Sequence, residues 1–84
     1  MSEVSWDPNA RKFMRKLSKK DSFRIFDKVD NEITHDVVRY LENLQDRDEK
    51  KIRIGDYRLF VSFDKEKDLL GIHSIRHRKN AYKR

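Results

Sequence analysis

The 84-residue chain contains no cysteine, one proline and two glycines. Without cysteine there is no disulfide framework and no thiolate metal site, which suits a reducing compartment. No apolar run approaches the roughly 20 residues needed to span a bilayer. Ser2, Glu3 and Asp7 interrupt the start, and no apolar signal-peptide core follows. The expectation is a soluble cytoplasmic protein that does not engage a membrane. Several catalytic signatures are also missing: a phosphate-binding glycine loop, the HExxH zinc motif and a serine nucleophile elbow. His35, His73 and His77 do not have the spacing of a metal set. Acidic residues are scarce in the C-terminal part, which argues against a two-metal nuclease. No metal site and no cofactor is expected.

Charge is what the chain has in abundance. Charged residues make up 43% of it and hydrophobic residues 36%, for a net charge of +6. Residues 1–49 hold 10 basic and 11 acidic groups, whereas residues 50–84 hold 11 basic and 4 acidic. The basic excess therefore lies wholly in the C-terminal part and points to an anionic partner, nucleic acid first. Residues 21–49, with 4 basic and 9 acidic groups, are unsuited to face one.

The stretch Lys51–Arg58, KIRIGDYR, is the clearest local signal. Gly55-Asp56 between two alternating runs predicts a two-residue hairpin. Ile54 then pairs with Tyr57, Arg53 with Arg58, Ile52 with Leu59 and Lys51 with Phe60. One face carries Ile52, Ile54, Tyr57 and Leu59; the other carries Lys51, Arg53 and Arg58, and continues through Phe60 and Ser62. Like charges opposed on a ladder cost up to about 1 kcal/mol, so an anion belongs on that face.

Upstream, Val4 and Trp6 share a face of a short strand. Asp7-Pro8 reads as N-cap and first helical residue. Ala10, Phe13, Met14 and Leu17 give the amphipathic spacing of a first helix. Asp21 or Ser22 caps a second helix, whose apolar side is read as Phe23, Ile25, Phe26, Val29 and Ile33. Met14 and the phenylalanines are assigned to the core. Residues 34–44 fit either a short helix capped by Thr34 or a short strand. Leu69–Ile75 reads as the last strand, with Gly71 a bulge or close-approach point. Residues 1–84 thus read as a single α+β domain: a strand, two helices, then three or four antiparallel strands, with helices covering one sheet face.

The cationic face suits metal-free RNA cleavage. RNA supplies its own nucleophile, the 2′-OH, and arginines can neutralise charge developing on the phosphate. Arg53 and Arg58 form the clamp, Tyr82 stacks on a base or holds the 2′-OH, and His77 is a titratable acid or base. Arg53 is a poor general base, because its guanidinium stays protonated.

The blocks A-x-x-F-x-x-x-L, K-I-R-I-G-D-Y-R-L and I-R-H-R-x-x-x-Y resemble the RelE/ParE toxin superfamily of toxin–antitoxin systems over nearly the whole chain. The resemblance implies two N-terminal helices packed on one face of a twisted antiparallel sheet of about four strands. It implies ribosome-dependent cleavage of mRNA in the A site by 2′-OH attack, inhibiting translation. By position, Lys51, Arg53, Arg58, Arg76, His77 and Tyr82 match the catalytic set, with Lys50, Arg78 and Lys79 as flanking RNA contacts. Arg53 stands where the best-known members carry lysine. The implied partners are the ribosome, its mRNA and a cognate antitoxin protein, held in a toxin–antitoxin hetero-oligomer. The alternative is a ParE-like toxin that poisons DNA gyrase without nuclease activity, although such members usually lack the full basic-plus-tyrosine set.

Overall fold

The structure, a computed structural model, describes residues 1–43 and 50–78. Strand β1 (Glu3–Trp6) leads into helices α1 (Pro8–Lys16) and α2 (Lys19–Asn31). A 3-10 turn at Ile33–His35 and the single-turn helix α3 (Val37–Tyr40) follow, then β2 (Glu42–Asn43). Three longer strands complete the described chain: β3 (Lys50–Ile54), β4 (Tyr57–Asp64) and β5 (Leu69–His77). The fold is α+β, as expected. Of residues 34–44, those described, 34–43, are both of the alternatives, part helix and part strand; Leu44 lies outside the described residues.

The sheet has five strands in the order β1-β5-β4-β3-β2. Pairing is antiparallel from β2 through β5, whereas β1 joins parallel to β5, with Val4 opposite Leu70 and Trp6 opposite Ile72. The antiparallel expectation thus needs correction at this edge. Alternation identifies a strand but not its direction, and only an intervening crossover allows parallel pairing. The edge is tied down by the backbone, with Glu3 N–H donating to the Asp68 carbonyl and Asp7 N–H to that of Ile72. Asp68 closes the β4–β5 turn with a left-handed backbone, φ 52°.

The β3–β4 hairpin has the register its alternation demands: Lys51 opposite Phe60, Ile52 opposite Leu59, Arg53 opposite Arg58 and Ile54 opposite Tyr57. Gly55 supplies the positive φ, 56°, that the two-residue turn requires. Ile52, Ile54, Tyr57, Leu59, Val61, Leu70, Ile72 and Ile75 bury one face of the sheet. Ala10 of α1 and Ile25 and Val29 of α2 pack into the same cluster, with Phe13, Met14 and Leu17 at its margin.

Two assignments on α2 change. Its cap is Ser18, whose Oγ accepts from Asp21 N–H at 3.2 Å, rather than Asp21 or Ser22. Phe23 and Phe26 are not core: they are 68% and 48% exposed. Ile25 and Val29, one turn apart, define the buried stripe, and Phe23 lies about 200° round the helix from Ile25. Phe26 instead stacks on Trp6, centroids 6.1 Å apart. Thr34 is not a cap either; its hydroxyl donates back to the Asp30 carbonyl.

These positions predict unequal costs on truncation. Leu59→Ala, at a fully buried site, should lose about 2–5 kcal/mol in urea unfolding. Phe23→Ala should stay within about 0.5 kcal/mol.

Candidate functional site: the open face of the sheet

Period-two alternation places on the uncovered face whatever the core face does not take. Arg58 on the central strand β4 has Arg53 of β3 on one side and Arg76 of β5 on the other, each as its direct register partner. Neighbouring strands lie about 4.8 Å apart, so three guanidinium-bearing residues form one row across three strands. The next row is Lys51, Phe60 and Ser74. Arg53 and Arg76 are exposed, whereas Arg58 is only 5% exposed. No buried side-chain nitrogen or oxygen among the described residues lacks a hydrogen-bond partner, so the Arg58 guanidinium is held rather than loose. Lys51 Nζ lies 3.9 Å from Glu42 Oε1 at the sheet margin. The Arg76 guanidinium carbon sits 5.8 Å from the centre of the half-buried Phe60 ring.

The row gathers Arg53, Arg58 and Arg76, with Lys51 next to it. His77 does not join them. It is the register partner of Tyr57 on the helix-covered side, and their rings meet edge-on at 5.2 Å. This separates His77 from the arginines with which the resemblance grouped it. Adjacent residues of a strand point to opposite faces, so Arg76 and His77 cannot both join the row. Lys50 is likewise in register with Val61, a core-facing residue. Arg78 is exposed at the end of β5, its N–H donating to the Asp56 carbonyl. Lys79 and Tyr82 lie outside the described residues.

The helix-covered side explains why Tyr57 is a structural residue. Its hydroxyl donates to Asp21 Oδ2 at 2.9 Å, and its ring meets Phe13 edge-on at 6.0 Å. Burial, then the hydrogen bond to Asp21 and the charges of Asp21 and Asp56, push the Tyr57 phenol above its ordinary value; Arg24 opposes them.

Sequence reading placed Phe60 and Ser62 on the cationic face but gave them no part in the site. It also missed a second polar cluster on that face. Ser62 Oγ lies 2.8 Å from His73 Nε2, and His73 Nδ1 lies 2.8 Å from Asp7 Oδ2. The available hint was Gly71, flagged as a close-approach point. Among the described residues no three His, Cys, Asp or Glu side chains come together as a ligand set for a metal ion. No helix among them is long and apolar enough to cross a membrane.

Comparison with known proteins gives this geometry a family. A model of the "ParE toxin of type II toxin-antitoxin system, parDE" matches residues 4–82. The chain belongs to the ParE toxin family. Among solved structures it is similar to a chain of the RelBE2 toxin–antitoxin complex of Mycobacterium tuberculosis. The TM-score is 0.84 at 22% identity, covering 92% of this chain and 91% of that one. It is also similar to the isolated RelE toxin of E. coli, with TM-score 0.73, 21% identity and coverage of 92% and 84%. A chain of the archaeal RelE–RelB complex of Pyrococcus horikoshii matches with TM-score 0.66, 22% identity and coverage of 92% and 94%. No curated protein sequence matches. The ParE-family chain thus shares its fold with RelE toxins.

The Tyr57 contacts predict a pH signature. Removing the hydroxyl in Tyr57→Phe should cost about 1 kcal/mol at neutral pH. A phenol raised on folding contributes stability that is fully present below its unfolded value, about 10, and is lost as pH rises through the folded value. Urea unfolding of the wild type should therefore weaken above about pH 10, and the gap to Tyr57→Phe should narrow there.

Proposed function

We propose that this ParE-family toxin is a ribosome-dependent endoribonuclease that cleaves mRNA by metal-independent attack of a 2′-OH. The observation carrying this reading is the arginine row, Arg53–Arg58–Arg76, laid beside an aromatic ring on an uncovered sheet face. Three adjacent like charges destabilise the free sheet. They stabilise a bound phosphate, and most of all one gaining charge in its transition state. Lys51 extends the row, and Phe60 adds a surface on which a base can stack. Tyr82 is assigned to orient the nucleotide, from its position in the sequence motif. Lys50, Arg78 and Lys79 are assigned to the RNA path from sequence as well; Lys50 sits on the other face and so reaches RNA only round the sheet margin. We place the protein in the cytoplasm, where translated mRNA is found.

The partner that restrains it is a cognate antitoxin, as in the RelBE2 and RelE–RelB complexes of the solved relatives. A protein partner is supported here by the exposed aromatics of α2. Phe23 and Phe26, with Trp6 and Met14, line an apolar strip bordered by Arg11, Arg15 and Lys19. That composition matches an acidic amphipathic helix.

One observation favours a second reading, a toxin that poisons DNA gyrase and cuts no RNA: the family model that matches is that of ParE. Inducing the protein in growing cells and mapping mRNA 5′ ends decides between them. In-frame cuts in translated transcripts support the nuclease; DNA breaks with intact mRNA support the gyrase poison.

For the nuclease, Arg58→Ala and Tyr82→Ala should each lower cleavage of translated mRNA by about tenfold or more. Cleavage by the wild type should persist in EDTA. Wild-type rates in both variants would remove the assignment of these two residues.

A further inference from the structure

The three arginines of the cationic face bind phosphate but cannot act as a base, since guanidinium does not give up its proton under ordinary conditions, and Lys51 lies at the sheet margin 3.9 Å from Glu42 Oε1. The imidazole expected to serve, His77, is on the other side of the sheet. Along β4, however, Arg58, Phe60 and Ser62 follow one another on the open face, and each step of two residues is about 7 Å. Beside Ser62 stands His73, bound on both ring nitrogens.

Three independent features hold His73 there. It is the extra residue of a β-bulge: Phe60 pairs with Ser74 and Val61 with Ile72, which leaves His73 without a register partner. Such bulges re-aim side chains. Gly71 leaves the necessary space, because a Cβ there would lie 3.2 Å from Ser62 Oγ and 3.3 Å from His73 Cε1. Asp7 is the N-cap residue of α1, yet its side chain makes no capping hydrogen bond. Its carboxylate goes to His73 instead.

We propose that His73 is the general base of the cleavage reaction and that Asp7 is its positioning residue. This rests on the nuclease reading above. A carboxylate on Nδ1 fixes the tautomer with the proton on that nitrogen, so Nε2 presents its lone pair to the open face. Ser62 occupies that lone pair in the free protein and is a place-holder, with no part in the reaction. With a ribose seated over Phe60, Nε2 takes the proton of the 2′-OH. The O2′–P bond forms and the P–O5′ bond breaks; the 5′-oxygen takes a proton from water, whose hydroxide is neutralised by the proton on Nε2, leaving a 2′,3′-cyclic phosphate, a 5′-OH and the neutral imidazole. Arg76, already against the Phe60 ring, faces the charge that develops on the phosphate. The charged groups sharing this face with His73 by register are Glu3 of β1, Glu42 of β2, Lys51 and Arg53 of β3, Arg58 and Asp64 of β4 and Arg76 of β5, besides Asp7 itself. From α1 the nearest in sequence is Arg11, whose Nε donates to the Trp6 carbonyl.

The test compares wild type, His73→Gln, Asp7→Asn and Ser62→Ala as full-length chains on ribosome-bound mRNA across pH. Uridine 3′-monophosphate is titrated in parallel while the His73 ring nitrogens are followed by NMR. His73→Gln should lower kcat about 100-fold or more, leave KM within a few fold and abolish the acidic limb of the wild-type profile. Asp7→Asn should lower kcat less, leave KM within a few fold and turn the His73 ring-nitrogen signals into those of a tautomer mixture, because the carboxylate no longer holds the proton on Nδ1. Ser62→Ala should cleave at close to the wild-type rate. The nucleotide should shift Nε2 in the wild type, which tests the site without relying on a variant that folds. Wild-type cleavage with an unchanged rate and limb in His73→Gln overturns the base assignment alone. An inactive Ser62→Ala does so too, and makes the serine the reacting group. A wild type that neither cuts RNA nor binds the nucleotide overturns the nuclease reading, and the base assignment with it.

Discussion

The rest of the molecule depends on the register of the β3–β4 hairpin. Ile52 and Leu59 are fully buried and Ile54 nearly so, and a slip of one residue would bring Arg53 or Arg58 into their place. Burying an unpaired guanidinium in the apolar core costs far more than the few tenths to 1 kcal/mol lost by opposing two arginines across a ladder. The apolar face therefore dictates the polar one. Once Arg53 and Arg58 are opposed, the pairing of β5 with β4 adds Arg76 to their row.

The same register anchors the helices. Tyr57, which follows the turn, points into the core and reaches Asp21 of α2, while Ser18 caps that helix one turn earlier. His77 is drawn in against Tyr57 because β5 continues its alternation past Arg76. Sheet, helix hairpin and open face are thus consequences of one pairing. The open face is the part that the core leaves free, and there the chain gathers like charges that folding alone does not favour.

Local pattern made some of this legible from residues alone. Gly55-Asp56 with alternating flanks is enough for the hairpin, its register and the two faces, because turn length and burial both act within ten residues. Asp7-Pro8 marks the start of α1 for the same reason. The phenylalanines of α2 show the limit. Apolar spacing admits Phe23 as readily as Ile25, and only the packing of Ile25 and Val29 against the sheet shows which side is inside. Residues 34–44 fit two readings because the elements described there, as far as Asn43, are a single turn or a two-residue strand, too short for periodicity to register.

What the sequence determined by itself is the hairpin, the amphipathic helices, the charge asymmetry and the α+β class. All of these follow from patterns within one or two elements. Tertiary structure decided the parallel attachment of β1, the exclusion of His77 from the arginine row and the meeting of Asp7, Ser62 and His73. Those depend on strand direction, on the parity of a strand across a bulge and on contacts between residues as far as 66 apart in the chain. The physical reason is the same in each case. Side-chain direction in a strand alternates at every residue, so one extra residue at His73 changes which groups share a face, and no local pattern records it.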